Sequence, residues 1–258
     1  METKKRINRA FSAAASSYEQ SAIVQKEVAK RLASLLPENV CLQEVYEFGC
    51  GTGLLTRALE ERCQVEHWSI NDLSQAMIDS LPPLRDKSPQ LLVGDALEVT
   101  PYHRVKTFDL IASASTLQWF SNPLEYLSKT IPTLKDVGTL LFSTFGADNL
   151  YELRMLTGRG LKYLSMDEIG EFLNRHFQDV TLFEERIVLS FPDLLTLFRH
   201  LKATGVTQLL DNSTPSVLKT REGLLRLESL YRERYGHPDG RLALTYHPIY
   251  IKATAPKR

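Results

Sequence analysis

Apolar residues in the first part of the chain recur three and four positions apart. Ile7, Phe11, Ala14, Ala15, Tyr18 and Ala22, then Ile23, Val28, Leu32 and Leu35, form such a series, and this spacing predicts a helix over 3–36, ended by Pro37. Beyond it the period changes. Short β-branched or aromatic runs at 45–48, 65–70, 91–93, 108–112 and 138–145 predict five strands. Helical patterns fall between them at 54–62, at 74–81 with Asp72 or Ser74 as N-cap, and from Asn122-Pro123 onward. Strands alternating with helices imply βαβ units, and therefore a mostly parallel sheet with helices on both faces. Residues 37–149 are thus predicted to be a doubly wound core.

After the core the alternation breaks. Residues 150–177 read as helix, 180–191 as extended chain, 192–235 as two or three helices, and the apolar, aromatic run 242–253 as a last strand returning to the sheet. The expected organisation is one domain in three parts. These are an N-terminal helical flap at 1–36, the core at 37–149, and further core strands at 150–258 carrying a helical lid insertion near 192–240. Helices inserted before a final strand sit over the sheet's edge or active end, where a lid belongs.

Composition narrows the class. With 258 residues, 43% hydrophobic and 24% charged, and only 13 Gly and 12 Pro, the chain is neither disordered nor collagenous. Its formal net charge of zero argues against a nucleic-acid binder with a globally basic surface. Cys41, Cys50 and Cys63 show no C-x-x-C spacing, and the six histidines show no ligand spacing, so neither a disulfide framework nor a metal site is expected. No apolar stretch follows the basic residues at the start, and the longest uncharged windows are too short and polar to span a bilayer. A cytoplasmic protein without a membrane partner is expected.

The densest chemical signal is Glu47-Phe48-Gly49-Cys50-Gly51-Thr52-Gly53, between a predicted strand and a predicted helix. Glycines there permit a tight turn and a close ligand approach beside a helix N-terminus. In the nicotinamide fingerprint the third glycine falls at position 54, which is Leu54 in this chain, so a nicotinamide-dependent oxidoreductase is disfavoured. Cys50 has no basic neighbour to activate it and reads as a small residue between glycines.

The pattern G-x-G-x-G with an acidic residue two positions ahead resembles motif I of the class I S-adenosylmethionine (SAM)-dependent methyltransferases. That resemblance implies a Rossmann-like α/β fold with a mostly parallel seven-stranded sheet and SAM as cofactor. It implies a cofactor site of Glu47, Gly49, Gly51, Gly53, Asp72, Leu73, Asp95, Ala96 and Ser113. Asp72 would accept the ribose hydroxyls, Asp95 and the amide of Ala96 would meet the adenine, and 113–116 would lie by the methionine portion. Asn71 departs from the pattern, standing where an apolar residue is expected.

The flanking segments are more specific. Residues 11–18 with Ala22 and Gln25, Leu117-Gln118-Trp119 with Pro123, 142–154, 163–165, 198–206 and 244–250 look like the malonyl-[acyl-carrier protein] O-methyltransferase family, which opens the pimelate branch of biotin synthesis. This implies methylation of the free carboxylate of a malonyl thioester, on acyl carrier protein or on coenzyme A. No acid or base residue is expected, because the acceptor is already ionised at neutral pH. Arg154 is the first candidate to hold the acceptor carboxylate, with Arg199 and Lys202 as alternatives. Tyr18, on a segment resembling the flap that closes over SAM, and Trp119 are further candidates for the acceptor pocket. Another small-molecule methyltransferase, acting on a different carboxylate or a quinone carbon, and a non-catalytic SAM-binding protein remain open on these residues.

Zero net charge divides unevenly. Residues 1–36 hold seven basic and three acidic residues, 37–149 eight and fifteen, and 150–258 sixteen and thirteen. In the family picture the carrier protein is acidic, so positive flap and lid segments would steer it to the mouth of the site.

Overall fold

The computed structural model describes residues 2–86, 88–103, 105–206 and 220–257. Strands β1 (Val40–Phe48), β2 (Cys63–Asp72), β3 (Gln90–Val93), β4 (Phe108–Ser113), β5 (Leu134–Phe145), β6 (Phe177–Glu184) and β9 (Pro248–Pro256) form one seven-stranded sheet in the order β3-β2-β1-β4-β5-β9-β6. The pairs from β3 through β5 are parallel, and β9 runs antiparallel between β5 and β6. Because β1 starts the chain's winding at the sheet's middle and the order reverses there, the ends of β1 and β4 flank a switch point, where a crevice opens.

Apolar cores fill both faces. One joins α2 (Ile23–Ala33) and α3 (Leu54–Arg62) to the sheet through Val28, Leu32, Leu55 and Trp68. The other packs α6 (Pro123–Thr130) and α8 (Met166–His176) through Tyr126, Leu127, Phe172 and Leu173. Asn122 caps α6, and Ser165 with Glu168 closes a capping box on α8. Short α4 (Gln75–Ile78) and α5 (Ala96–Val99) begin directly after β2 and β3, capped by Ser74 and Asp95. The cap of α4 is therefore Ser74, not Asp72, and the helix ends before the predicted residue 81.

The structure differs from the periodicity in several further places. The predicted helix 150–177 is two helices, α7 (Tyr151–Thr157) and α8, and the predicted extended run 180–191 is two strands, β6 and β7 (Ile187–Phe191), which belong to different sheets. The predicted helix 3–36 is two helices, α1 (Glu2–Ser21) and α2, bent at Ala22, where ψ is 48°. Ala22 is fully buried. The bend lets α1 lie on α4 and α9 (Leu194–Ala203) while α2 lies on α3 and the sheet. The predicted last strand is also two. β8 (Leu242–Tyr246) pairs with β7 (Ile187–Phe191) in a separate two-stranded sheet, and the chain enters β9 only after His247. Pro248, with no N–H to give, marks that change of sheet. α7 (Tyr151–Thr157) and α10 (Arg221–Tyr235) pack together and against β8. Part of the predicted lid, 207–219, lies outside the described residues. Among the described residues no helix is long and apolar enough to cross a membrane.

Asn71, polar and 1% exposed, has a structural reason to depart from the apolar pattern. Its Nδ2 donates to the carbonyls of Leu92, at 2.7 Å, and Gly94, at 2.9 Å, tying the end of β2 to the edge strand and the loop after it. Asn71→Ala removes the donor without adding bulk and leaves those carbonyls without it. Urea unfolding is expected to show a loss of about 2 kcal/mol, and a change below about 0.5 kcal/mol would mean the clamp carries no stability.

Candidate functional site

The loop between β1 and α3 turns through three left-handed glycines, Gly49 (φ 64°), Gly51 (φ 56°) and Gly53 (φ 82°). At Gly49 a Cβ would lie 2.2 Å from Thr116 Cγ2, so nothing larger than glycine fits beneath the loop after β4. At Gly51 a Cβ would meet nothing within 4 Å, because this part of the loop faces a cleft. The Gly51 amide donates to Asp72 Oδ2 at 2.9 Å, and the Ser74 amide to Asp72 Oδ1 at 2.8 Å. One carboxylate thus holds the glycine loop and the turn after β2 in register.

The cleft has a cavity volume of about 130 Å³ and is open at one side. Its floor is the glycine loop with the ends of β2, β3 and β4, and its roof is α1. Ile7, Phe11, Trp119 and Phe120 make an apolar wall, with the Phe11 and Trp119 rings edge to face at 5.5 Å. On the same helix Lys4, Asn8 and Ser12, one turn apart, reach the rim. Lys4 pairs with Asp95, Asn8 donates to the Leu73 carbonyl at 3.2 Å, and Ser12 meets the Ser74 hydroxyl at 2.8 Å. The roof is fastened to the very turns that supply the floor's polar groups. Phe11 also packs on Gly205, just past α9, so α1 meets the end of that helix.

Hydrogen bonding inside the cleft is incomplete. Among the described residues five buried side-chain polar atoms have no partner: Gln25 Oε1, Glu47 Oε1, Thr52 Oγ1, Ser115 Oγ and Tyr102 OH. All but Tyr102 belong to residues that line the cleft. Buried polar atoms are normally paired, so four bare ones around a single cavity mark groups set out for a ligand. Glu47 is 1% exposed; its Oε2 accepts from Thr56 Oγ1 at 2.7 Å. Burial pushes its carboxyl up to about 8, against the Thr56 bond and with some help from the Asp72 charge. Burial also raises Asp72, which the amides of Ser74, Gly51 and Leu73 oppose. Two buried acids with raised affinity for protons make a cavity that favours a cationic ligand. Burial raises the Cys50 thiol as well, so no thiolate nucleophile is available there. Among the described residues no group of three or more His, Cys, Asp or Glu side chains is placed to hold a metal.

The cleft brings together Glu47, Gly49, Gly51, Asp72, Leu73, Asp95 and Ala96 of the expected cofactor residues, and Tyr18 and Trp119 of the expected acceptor residues. The other expected residues fall elsewhere. Ser113 is fully buried and spends its hydroxyl on the Phe48 carbonyl at 2.8 Å; Ala114, Ser115 and Thr116 line the cleft in its place. Arg154 donates to the Ala147 carbonyl and lies 5.3 Å over the Tyr163 ring, bracing the loop after β5 outside the cleft wall. Arg199 and Lys202 lie on α9 and do not line the cleft. Gly53 is the left-handed N-cap of α3, packed against Pro82 rather than lining the cleft. Ser115 falls in the 113–116 stretch expected beside the methionine portion, whereas Gln25 and Thr52 are not among the expected ligand residues; only the helical phase that places Gln25 with Tyr18 and Ala22 on the inner face points to it.

Comparison with known proteins agrees on one group. A methyltransferase-domain family model matches residues 21–209. The chain is 38% identical to a malonyl-[acyl-carrier protein] O-methyltransferase of Porphyromonas gingivalis, over 94% of this chain and 92% of that one. It is 33% identical to the Haemophilus influenzae protein of the same name, over 97% and 94%. A solved Haemonchus contortus phosphoethanolamine N-methyltransferase in complex with S-adenosylhomocysteine shares the fold, with a TM-score of 0.59 and 17% identity over 100% of this chain and 61% of that one.

The Glu47 carboxyl has a measurable consequence without any ligand. Its ordinary value is 4.5 and its folded value about 8, so between these the unfolded chain has released a proton that the folded protein keeps. Stability therefore falls as pH rises through this window, by at most about 1.4 kcal/mol per pH unit, and the loss is complete above the folded value. Glu47→Gln keeps an acceptor for Thr56 and cannot ionise. In urea unfolding from about pH 5 to about pH 9 the variant should gain steadily on the wild type, by at least about 1 kcal/mol at the alkaline end. A difference independent of pH would mean that Glu47 does not titrate as a buried acid.

Proposed function

This chain belongs to the malonyl-[acyl-carrier protein] O-methyltransferase family, and from that premise we propose that it methylates the free carboxylate of a malonyl thioester carried on acyl carrier protein. What carries the reading is the likeness to proteins of that name over nearly the whole of both chains, flap and lid segments included, rather than over the cofactor core alone. The product would be the malonyl methyl ester, the first step toward the pimeloyl chain of biotin.

The cleft's residues fit S-adenosyl-L-methionine. Its buried, unpartnered acceptors at Glu47 and Gln25 suit a ligand with positive charge and N–H donors, and the opening at Gly51 leaves room for it against the backbone. In this reading Asp72 takes the ribose hydroxyls, Asp95, Ala96 and Leu97 border the adenine, and Glu47 and the 114–116 turn surround the amino-acid end. When bound, the sulfonium supplies an electrophilic methyl that an attacking carboxylate oxygen removes as S-adenosylhomocysteine leaves.

The protein's own part is alignment and exclusion of water. A malonyl carboxylate, with a free-acid pKa of about 3–4, arrives ionised, so no side chain has to remove a proton. Nothing basic is needed at the reacting oxygen, and His200, on α9 near the flap contact, has its pKa lowered by burial and is bonded to the Tyr246 hydroxyl at 2.8 Å. Tyr18 and Trp119 line the acceptor side. Burial and the Asp72 charge raise the Tyr18 phenol, which keeps its proton and can donate it in a hydrogen bond to the acceptor carboxylate. Arg199 and Lys202, exposed on the same helix as Leu195 and outside the cleft lining, would meet the carrier rather than the carboxylate.

The test is transfer of label from methyl-labelled SAM in the presence of malonyl-acyl carrier protein, malonyl-coenzyme A or no acceptor. Label on the carrier-bound malonyl group, released by mild base as methanol, is expected. Absence of base-labile label on both malonyl thioesters would overturn the assignment.

A further inference from the structure

The cleft is lined by the acids Glu47, Asp72 and Asp95, and Lys4, the only cation among the described residues that border it, is paired with Asp95. An anionic acceptor therefore meets like charge on its way in, and attraction has to come from outside the cavity. The outer faces of α1 and α9, two helices that pack on each other, carry such charge. On α1 the inward residues are Ile7, Phe11, Ala14 and Tyr18, whereas Lys5 and Arg9, one turn apart, are exposed on the opposite face. On α9 Leu194, Leu197 and Leu201 are buried, and Leu195, Arg199 and Lys202 are exposed opposite them. Neither 4–18 nor 194–203 contains an acidic residue. Asp193, just before α9, lies in the field of Arg199 but caps the helix by accepting from the Thr196 amide at 2.7 Å. Leu195, 54% exposed, sets an apolar side chain at one end of the charged stripe.

We propose that the outward faces of α1 and α9 form one docking surface for an acidic face of the protein that carries the acceptor. This rests on the reading that the acceptor is a malonyl thioester on a carrier protein. Like charges one turn apart on a helix repel, and an anionic partner turns that cost into attraction. A partner seated there stands over the cover of the cleft, because the inward face of α1 supplies Phe11 and Tyr18 to the cavity and Gly205, just past α9, packs on Phe11. It can reach the cavity mouth with an extended arm without entering the cavity itself. The pattern suits a protein rather than the nucleotide phosphates of free coenzyme A. The four cations are spread along two helices with Leu195 as an apolar contact, as a protein interface combines apolar anchors with a polar rim, whereas a phosphate is held by donors that converge on one point. Cations outside the mouth also leave the interior acidic, so the cationic methyl donor and the anionic acceptor are drawn by opposite fields in different places.

The experiment is titration calorimetry of the whole protein, saturated with S-adenosylhomocysteine, with malonyl-acyl carrier protein at about 50 mM and about 300 mM salt. Wild-type affinity for the carrier is expected to fall about tenfold at the higher salt, while affinity for S-adenosylhomocysteine changes less than about twofold. Two double charge reversals, Arg199→Glu with Lys202→Glu and Lys5→Glu with Arg9→Glu, should each weaken the carrier about tenfold at low salt. Each should leave S-adenosylhomocysteine within about twofold, which reports an intact cleft, and malonyl-coenzyme A within about threefold. Salt-independent binding of the carrier to the wild type overturns the docking surface and needs no variant to fold. So does a reversal of either pair that leaves carrier affinity unchanged, or a loss for malonyl-coenzyme A as large as for the carrier, which would give the cations to nucleotide phosphates. A wild type that places no label on the malonyl carrier in the transfer test overturns instead the reading on which the surface rests.

Discussion

Glu47 is bonded through one oxygen to Thr56 and left bare at the other, deep in the protein and at the end of the central strand. An isolated ionised carboxylate in such a place is costly, which is why this one holds its proton until about pH 8. Much of the surrounding architecture can be understood from that tension. The sheet delivers Glu47 to the switch point, the glycine loop turns immediately after it so that the backbone keeps clear, and the cavity before it is walled by apolar rings. A cation entering the cavity removes the penalty that burial imposes on the acid.

The parallel topology makes this possible. β1, β2, β3 and β4 all end on one side, so four turns that are far apart in sequence converge on one cleft. Their mutual bonds hold it open. Asp72 ties the glycine loop to the turn after β2, Asn71 ties β2 to the loop after β3, and Thr116 donates to the Gly49 carbonyl. The roof uses the same turns. Lys4, Asn8 and Ser12 contact Asp95, Leu73 and Ser74, so α1 lies over the polar floor through one exposed ion pair and two part-buried hydrogen bonds.

The core and the glycine loop were legible in the sequence because each rests on local rules. Period-two and period-3.6 runs locate the strands and helices, and glycine spacing between a strand and a helix locates the loop. What was not legible depends on partners distant in the chain. The bend at Ala22 carries no proline or glycine and exists because α1 and α2 dock on different surfaces. The break at His247-Pro248 is visible as a proline, yet the apolar run around it reads as one strand until the second sheet is seen. Arg154 fitted the expected chemistry and an appropriate place after β5, but its guanidinium braces the Ala147 carbonyl and Tyr163 instead. Ser113 sits one residue too early, on the inward side of β4, so its hydroxyl serves the backbone of β1. Gln25 illustrates the converse. Inside an amphipathic pattern it looks like an incidental polar residue, and only a missing hydrogen bond in three dimensions singles it out.

The most direct test of the bare carboxylate at the centre of the site is a count of protons released when ligand binds. SAM is titrated into the protein near neutral pH in two buffers of different ionisation enthalpy, and the difference in apparent binding heat gives the number of protons exchanged. If a cation settles against Glu47, about one proton leaves for each SAM bound, and Glu47→Gln abolishes the release. Binding of SAM to the wild type with no proton released would contradict a protonated Glu47 that ionises to meet the ligand.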